Sequence, residues 1–381
     1  MKIKTAQLYP LSIPLKAPIK MSGETVTHAN TLLLRIVDSN GREGWGETSA
    51  APLMTGETLG SLLSNTAYLL NRIKDLEWSD PNEIGQLASR VLYSNASAKS
   101  CVEVALLDIF AQEKQESLFS FARRASGINT QEKPEPLSIL RMLGGSLEQE
   151  ITDAITLRAQ GYRHWKIKVG LLGLHRDLER VAAICEVLEG DTVSADANGA
   201  FTLADAVAFC TSPLASKLSF VEQPIASAHP MADFLALKKA SPLPVGLDES
   251  IHGLNEIIEF DESRVYDGAS LKLIKLGGIL PGVRAALEMQ KRKLKLNLAC
   301  KVAETSLSAA ATASIGFAVN EAAWGLSMSN EYLEFDICDK PLAARDGLLH
   351  FEQLSPIGVG VIPSLTLVKK AASKEWGVIQ L

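Results

Sequence analysis

From about Leu137 onward the chain repeats one phrase of apolar and polar positions: a short apolar run, a polar or Gly-bearing turn, then a stretch whose apolar residues have helical spacing. The apolar runs are SILRMLG, HWKIKVG, TVSADANG, LSFVEQPI, LPVGLDES, ASLKLIKLGG, LNLACKV and AAWGLSM, and each reads as a buried strand. Between them lie LEQEITDAITLRAQ, HRDLERVAAICEVLE, LADAVAFCTSPL, MADFLALKKA, LNEIIEF, GVRAALEMQKRK and SLSAAATASIGFAV, all helical in pattern. Strands alternating with helices imply a parallel sheet. Eight such units are the number that closes a barrel of the triosephosphate-isomerase type. An open doubly wound sheet competes with this reading and is disfavoured, because no GxGxxG turn follows the first strand.

Before about Ala125 the pattern differs. KIKTAQLYPLSIPL and NTLLLRIVDSNGREGWGETS suggest a meander of antiparallel strands, with SNG marking a hairpin. The longest helical stretch there is SAKSCVEVALLDIFAQEKQ, whose Val102, Leu106 and Phe110 fall on one face. The chain thus places an α+β domain before a barrel. The tail from about Phe351, FEQLSPIGVGVIPS, is punctuated by Pro and Gly and closes on a short strand candidate, WGVIQL, expected to return to the first domain.

Composition narrows the function classes. The 381 residues are 46% hydrophobic and 22% charged, enough chain for a large domain and a smaller one. Lys+Arg 38 against Asp+Glu 44 leaves a formal charge of −6, with no like-charge block beyond the short KRKLK run, so no nucleic-acid footprint is expected. The Met1 region alternates like a strand and carries no signal-peptide pattern. No segment approaches the ~18 uninterrupted apolar residues of a membrane span. Cys101, Cys185, Cys210, Cys300 and Cys338 are odd in number, scattered and free of CxxC spacing, which reads as a reduced cytoplasmic protein.

In a parallel barrel, reactive groups come from the carboxyl ends of strands and the loops after them. Asp196 ends the third strand in SADANG, Glu222 the fourth in FVEQP and Asp248 the fifth in VGLDES, spaced by one strand–helix unit each. Three carboxylates from adjacent strands would converge at one rim, where they would raise each other's pKa values. A divalent cation removes that conflict, and an all-oxygen set without His or Cys suits Mg²⁺ better than Zn²⁺. The blander reading has each carboxylate cap the following helix. Three in register speak against it.

Lys166 and Lys168, two apart in GYRHWKIKVG, share one face of the second strand beside Asp196. Lys272 lies in the sixth strand, beyond the carboxylates in strand order. Taken as one continuous strand, SLKLIKL turns Lys272 and Lys275 to opposite faces, so at most one faces the barrel axis. Lysines therefore bracket the acidic centre from two sides. This suits removal of a weakly acidic proton next to a carboxylate, which an amine can manage only if the resulting enediolate is strongly stabilised. A lysine held near other positive charges has its pKa lowered and can serve as the base. The alternative is that these lysines snorkel outward or pair structurally with the acids.

KIKVG, SADANG, VEQP, GLDES and LKLIKLGGI, together with WGETSAAPLMTGET, resemble the ordered motifs of the enolase superfamily, specifically its muconate lactonizing enzyme subgroup. The resemblance implies a modified TIM barrel, (β/α)7β, with an N-terminal α+β capping domain completed by the C-terminal tail. Expected bounds are 1–126 for the cap, 127–350 for the barrel and 351–381 for the returning segment. It implies Asp196, Glu222 and Asp248 as ligands of Mg²⁺, with Mn²⁺ as a substitute. Lys168 and Lys272 become the acid/base pair, Lys166 the electrostatic partner that depresses its neighbour's pKa, and Asn198 and Glu249 outer contributors. Substrate selection falls to cap loops matching Ala17 to Thr25 and Ala50 to Thr58, with Thr55 in the second, and to the ends of the seventh and eighth strands. There Glu304 is expected near the mouth, Lys301 has no counterpart, and Trp324 either stacks on substrate or is a core aromatic. Members are often homo-oligomers.

APLMTGET is similar to the corresponding segment of dipeptide epimerases. Those enzymes carry an Asp-x-Asp pair after the eighth strand for the dipeptide's ammonium group, whereas here EFDICDKPL separates Asp336 and Asp339 by two residues. The resemblance points to racemization or epimerization of an amino-acid derivative: an N-acyl amino acid, a dipeptide or a proline derivative. A muconate-type cycloisomerase, or a dehydratase acting by hydroxyproline-type β-elimination, would use the same site. A non-catalytic small-molecule binding protein is the alternative from another class, and it would have lost a ligand or a lysine; none is missing.

Overall fold

The structure is a computed structural model and describes residues 1–21, 24–129 and 132–381. Strand β1 (Ile3–Met21) pairs antiparallel with β2 (Glu24–Asp38), which pairs antiparallel with β3 (Glu43–Ser49). Alternation is visible along β1, where Leu11, Ile13 and Leu15 are buried and Ser12, Pro14 and Lys16 are less so. The SNG hairpin forms between β2 and β3. Asp38 Oδ1 accepts from the backbone N–H groups of Asn40 and Arg42, both at 2.9 Å, and Gly41 supplies φ +81°.

Four helices cover this sheet: α1 (Leu59–Ile73), α2 (Asn82–Val91), α3 (Ala96–Glu113) and α4 (Leu118–Ala125). The α1 helix starts at a capping box in which Thr58 and Ser61 satisfy each other's backbone N–H groups. The single apolar face expected for α3 is corrected by the structure: every residue from Ser100 to Ala111 is buried. The cause is that α3 is wedged between the sheet and the barrel. Its close seat on β3 requires Gly44 and Gly46, where an added Cβ would stand 2.1 Å from Ala105 O and 2.0 Å from Cys101 O.

The barrel opens with β4 (Leu137–Ser138), a short strand at its base, and β5 (Leu140–Leu143). Then follow α5 (Leu147–Ala159), β6 (His164–Lys168), α6 (Leu174–Val187), β7 (Thr192–Asp196), α7 (Leu203–Thr211), β8 (Phe220–Glu222), α8 (Met231–Ala240), β9 (Val245–Leu247) and α9 (Leu254–Glu262). The run ends with β10 (Gly268–Leu271), the short turn α10 (Leu273–Leu276), α11 (Ile279–Lys291), β11 (Lys295–Ala299), α12 (Ser306–Val319) and β12 (Leu326–Ser327). Strands β5 to β12 form one parallel sheet in chain order, and a parallel bridge between Ile139 and Leu326 brings its two edges together. All eight strands read from the sequence are present, seven of them followed by a main helix, which is the (β/α)7β arrangement.

After β12, β13 (Leu348–Leu349) pairs with β4, α13 (Leu365–Ala371) follows, and β14 (Ile379–Gln380) joins the outer edge of the first sheet through Gln7↔Gln380 and Leu8↔Ile379. One hydrophobic cluster runs through both regions, including Leu106 of α3 and Leu271 of β10. At their junction the buried Glu103 of α3 accepts from the backbone N–H groups of Ile279 (2.8 Å) and Leu280 (2.9 Å), the first turn of α11. The five cysteines are free and buried. Among the described residues no helix is long and apolar enough to cross a membrane.

Candidate active site

Parallel pairing in register delivers the charged residues to one rim. Lys168 stands opposite Asp196, and Asp196 opposite Glu222, across neighbouring strand ends. Lys168 Nζ donates to Asp196 Oδ2 and to Asn198 Oδ1, both at 2.7 Å. Lys166 forms an ion pair with Glu222 and lies 3.7 Å from Asp196 Oδ2. On the far side Lys272 donates to Asp248 Oδ2. These side chains are buried except Lys168 and Asn198, which are partly buried.

The sixth strand departs from its sequence reading. It ends at Leu271, Lys272 is the last extended residue, and LIKL is a helical turn closed by Gly277 at φ +85°. Lys275 is therefore not turned away from Lys272. Its Nζ donates to Asp248 Oδ1 at 2.7 Å, to the Asp248 carbonyl at 2.5 Å and to the Ser270 carbonyl at 3.1 Å. Two lysines from one short segment thus hold the two oxygens of one carboxylate.

The motif residues around the acids have structural tasks that sequence reading missed. Gln223, at φ +38°, accepts through Oε1 from the backbone N–H groups of Asp248 (2.9 Å) and Ser250 (3.2 Å) and donates to Ser250 Oγ (2.8 Å). It templates the turn that presents Asp248. Asn198, at φ +44°, donates to Glu249 Oε1 at 3.0 Å, joining the third-strand and fifth-strand loops. Such sparsely populated backbone conformations persist where the surroundings over-determine them, commonly at functional sites. Ser270 donates to Glu222 Oε1 at 2.9 Å from below. His252 makes a 3.0 Å hydrogen bond with the Met54 carbonyl of the cap.

Electrostatics follow from this pairing. Burial pushes the Asp248 carboxyl up, but the Lys272 and Lys275 ammoniums outweigh it and hold the group well below the usual range. Asp196 is likewise held low against burial by Lys168 and Lys166. For Glu222 burial outweighs Lys166 and the pKa is raised. Glu249 is pushed up to about 7 by burial and by repulsion from Asp248 and Asp196. Burial lowers Lys166, but Glu222 and Asp196 more than reverse that, so it stays an ammonium. Lys272 is raised by Asp248 against burial, whereas in Lys275 burial prevails and the pKa falls.

These groups face a cavity of about 180 Å³ between the barrel mouth and the cap. Lys166, Lys168, Asp196, Asn198, Asp248, Glu249 and Lys272 line it, with Glu222 beneath them. The rest of its wall mixes apolar side chains, Leu53 and Met54 from the cap and Leu140, Met142, Val302 and Met328 from the barrel, with the polar Lys301, Ser327, Ser329 and Tyr332. Three residues singled out in the sequence lie elsewhere. Thr55 donates to the Ala51 carbonyl (3.3 Å) and accepts from Ser97 Oγ (3.2 Å). Glu304 is buried under the mouth, accepting from Ser49 Oγ (3.1 Å) and Lys301 N (3.0 Å), and burial pushes its carboxyl up to about 8. Trp324 belongs to the opposite end of the barrel. Its ring stacks on Phe220 at 3.8 Å and presses on Gly246 and Gly268, the place of a core aromatic.

Among the described residues no three acidic, imidazole or thiol side chains stand at chelating spacing, because lysine ammoniums occupy the carboxylate oxygens. The donor set nevertheless fits a hard dication. It is all oxygen, it comes from adjacent strand ends, and the neighbouring Glu249 keeps a buried Oε2 without a hydrogen-bond partner.

A capped (β/α)7β barrel with acids at the ends of three adjacent strands and lysines flanking them defines an enzyme class built around one shared rim. Residues 4–121 match the mandelate racemase/muconate lactonizing enzyme N-terminal domain, and residues 149–364 match the enolase C-terminal domain-like family. The chain belongs to the muconate lactonizing enzyme-like family of the enolase superfamily, and it is an isomerase or lyase of that superfamily, whose members are generally Mg²⁺-dependent. It is 27% identical over 368 residues to an o-succinylbenzoate synthase of Bacillus subtilis, covering 94% of each chain. It is 24% identical over 324 residues to an N-succinyl-L-Arg/Lys racemase of Bacillus cereus, covering 83% of this chain and 84% of that one. A crystal structure of a Cytophaga hutchinsonii dipeptide epimerase, complexed with Mg and D-Ala-L-Val, shares the fold at a TM-score of 0.88, with 21% identity and all of both chains covered.

Proposed function

We propose that the protein racemizes or epimerizes an amino-acid derivative by 1,1-proton transfer between Lys168 and Lys272. The carrying observation is the placement of Lys168 at the end of β6 and Lys272 directly after β10, on opposite sides of the acids that end β7 and β8 and follow β9. A substrate α-carbon between them meets a lysine on each face. One amine takes the α-proton and the other, as its ammonium, returns a proton to the opposite face. Lys166, kept charged by Glu222 and Asp196, stabilises negative charge developing on the substrate carboxylate. Asp196, Glu222 and Asp248 are the residues that would hold Mg²⁺, with Asn198 and Glu249 orienting them. The ion when bound would supply further charge to that carboxylate.

The substrate is a small carboxylate with an α-proton, and an N-acyl amino acid fits better than a dipeptide. Asp336, the first of the two aspartates after the eighth strand, is spent on the α12 N-terminus, accepting from Ser306 N (3.0 Å) and Oγ (2.7 Å). Among relatives, an N-succinyl amino acid racemase and an o-succinylbenzoate synthase carry acyl groups of this kind in their names. The test is NMR in D₂O with Mg²⁺ and a library of N-acyl amino acids, dipeptides and proline derivatives. The proposal expects α-proton exchange with inversion. Loss of water or ring closure without return of the proton would reassign the product to the elimination or cycloisomerization branch. No exchange in any compound would sink the racemization and epimerization chemistry.

A further inference from the structure

The two proposed bases sit on backbone that is held from different parts of the molecule. Lys168 closes β6, and its carbonyl accepts from Arg180 Nη1 of α6 at 2.6 Å. The guanidinium is itself clamped, since Arg180 Nε and Nη2 each donate to the fully buried Glu150 of α5 at 2.5 Å. Asp177, one turn earlier on α6, accepts from Gly170 N at 2.8 Å and so fixes the chain just beyond the lysine. Every group in this anchor belongs to the barrel. Lys272 instead precedes the short turn α10, and four residues are too few to satisfy their own carbonyls. The Ile274 carbonyl is met by the buried Ser97 of the cap helix α3, whose hydroxyl lies 3.1 Å from it and 3.2 Å from Thr55 Oγ1. Beyond the turn, Glu103 of the same helix holds Ile279 N and Leu280 N. The segment that carries Lys272 is therefore bracketed by the cap.

We propose that Arg180 and Ser97 are positioning residues for opposite halves of the reaction, Arg180 for proton transfer at Lys168 and Ser97 for proton transfer at Lys272. The inference rests on the two-base reading above and adds which scaffold aims each base. Neither side chain is among those lining the cavity, so each acts through a main-chain carbonyl at or near its lysine. Reaction geometry is steep in distance, and a displacement of ~1 Å can cost about a hundredfold in rate. Lys168 is also bonded to Asp196 and Asn198, and Lys272 to Asp248. Those bonds tie each ammonium to the acids; they do not fix the backbone from which the amine swings. The two anchors share no residue, so loss of one leaves the other base in place. The cap thus aims one base, and the barrel's own helices aim the other.

The experiment follows α-proton exchange by NMR in D₂O with the Mg²⁺-loaded full chain, from each enantiomer of the library compound that exchanges fastest. Lys168→Ala and Lys272→Ala first mark which enantiomer each base serves. Ser97→Ala should then slow exchange from the Lys272 enantiomer by about tenfold or more, in kcat rather than KM, and leave the other within about twofold. Glu150→Gln combined with Arg180→Met, which removes both members of the buried pair and strands no charge, should show the reverse. Melting curves check that both variants are folded. A merely structural role slows both enantiomers equally. That result, or an unchanged ratio of the two rates in either variant, overturns the assignment of the residue concerned. Amide hydrogen exchange gives a reading that needs no turnover. In Ser97→Ala it should rise in the peptide 272–278 and not in 166–171, and the paired variant should do the opposite. Equal change in both peptides overturns the separate anchoring. The split in amide exchange without α-proton exchange from any compound removes the racemization reading and keeps the two anchors.

Discussion

Lys275 Nζ lies 2.7 Å from Asp248 Oδ1 and 2.5 Å from the carbonyl oxygen of the same residue, fully buried. One ammonium therefore fixes both the side chain and the backbone of a proposed metal ligand. Lys275→Met keeps the volume and removes the charge and three donors, leaving Asp248 under-compensated. The expected cost is about 3–5 kcal/mol of stability. Adding Asp248→Asn should cost less in the Lys275→Met background than in wild type, because the charge left behind is gone. Denaturant melts of the four proteins measure the coupling, and strict additivity would refute a direct partnership.

The two bases should be separable by stereochemistry. Lys168→Ala is expected to abolish α-proton exchange starting from one enantiomer of a substrate and Lys272→Ala from the other, each by at least about 10²-fold. Exchange from the untouched side should persist. If both variants exchange both enantiomers at the wild-type rate, neither lysine is the base.

Mg²⁺ should raise the melting temperature in a concentration-dependent way. At about a hundredfold excess over Kd the gain is about 2.7 kcal/mol. Asp196→Asn, Glu222→Gln and Asp248→Asn should each blunt that gain, whatever their effect on turnover. A wild-type melting curve indifferent to Mg²⁺ and EDTA would remove these acids from a metal site.

Glu103 supplies a pH signature away from the reacting centre. Burial pushes its carboxyl up to about 7 from an ordinary 4.5. The folded chain thus binds this proton more tightly than the unfolded one. The stabilisation is complete below the unfolded value and is lost as pH rises toward 7, a change of roughly 3 kcal/mol. Asp108, raised to about 6, and Glu304, raised to about 8, tilt stability the same way. Melting temperatures between pH 5 and 8 should fall more gently in Glu103→Gln than in wild type. Parallel curves would rule out this origin.

The strand ends were the legible part of the chain. Apolar runs closing on an acid or a lysine located β6 to β9 and their charged tips, because burial of a parallel strand and exposure of its carboxyl end are both written locally. Lys275 was hidden because LKLIKL alternates like a strand, while Gly277 at φ +85° lets it close as a helical turn. The seat of Trp324 could not be read from AAWGLSM, since it depends on Phe220 and on two glycines from other strands. Gln223 was equally opaque: its task is a set of hydrogen bonds to a turn one unit further along.

The burial of α3 on every side also limits how the molecule can move. A cap hinged as a lid would have to strip this helix from either β3 or the barrel, opening apolar surface along its whole length. Among the described residues, the short segment bearing Leu53 and Met54 is the part of the cap that lines the cavity. Leu53 is 66% exposed, and the nearby Met54 carbonyl is tied to the barrel by a single bond to His252. Cap and barrel are thereby bound to behave as one body, so a change that loosens α3 would loosen both at once.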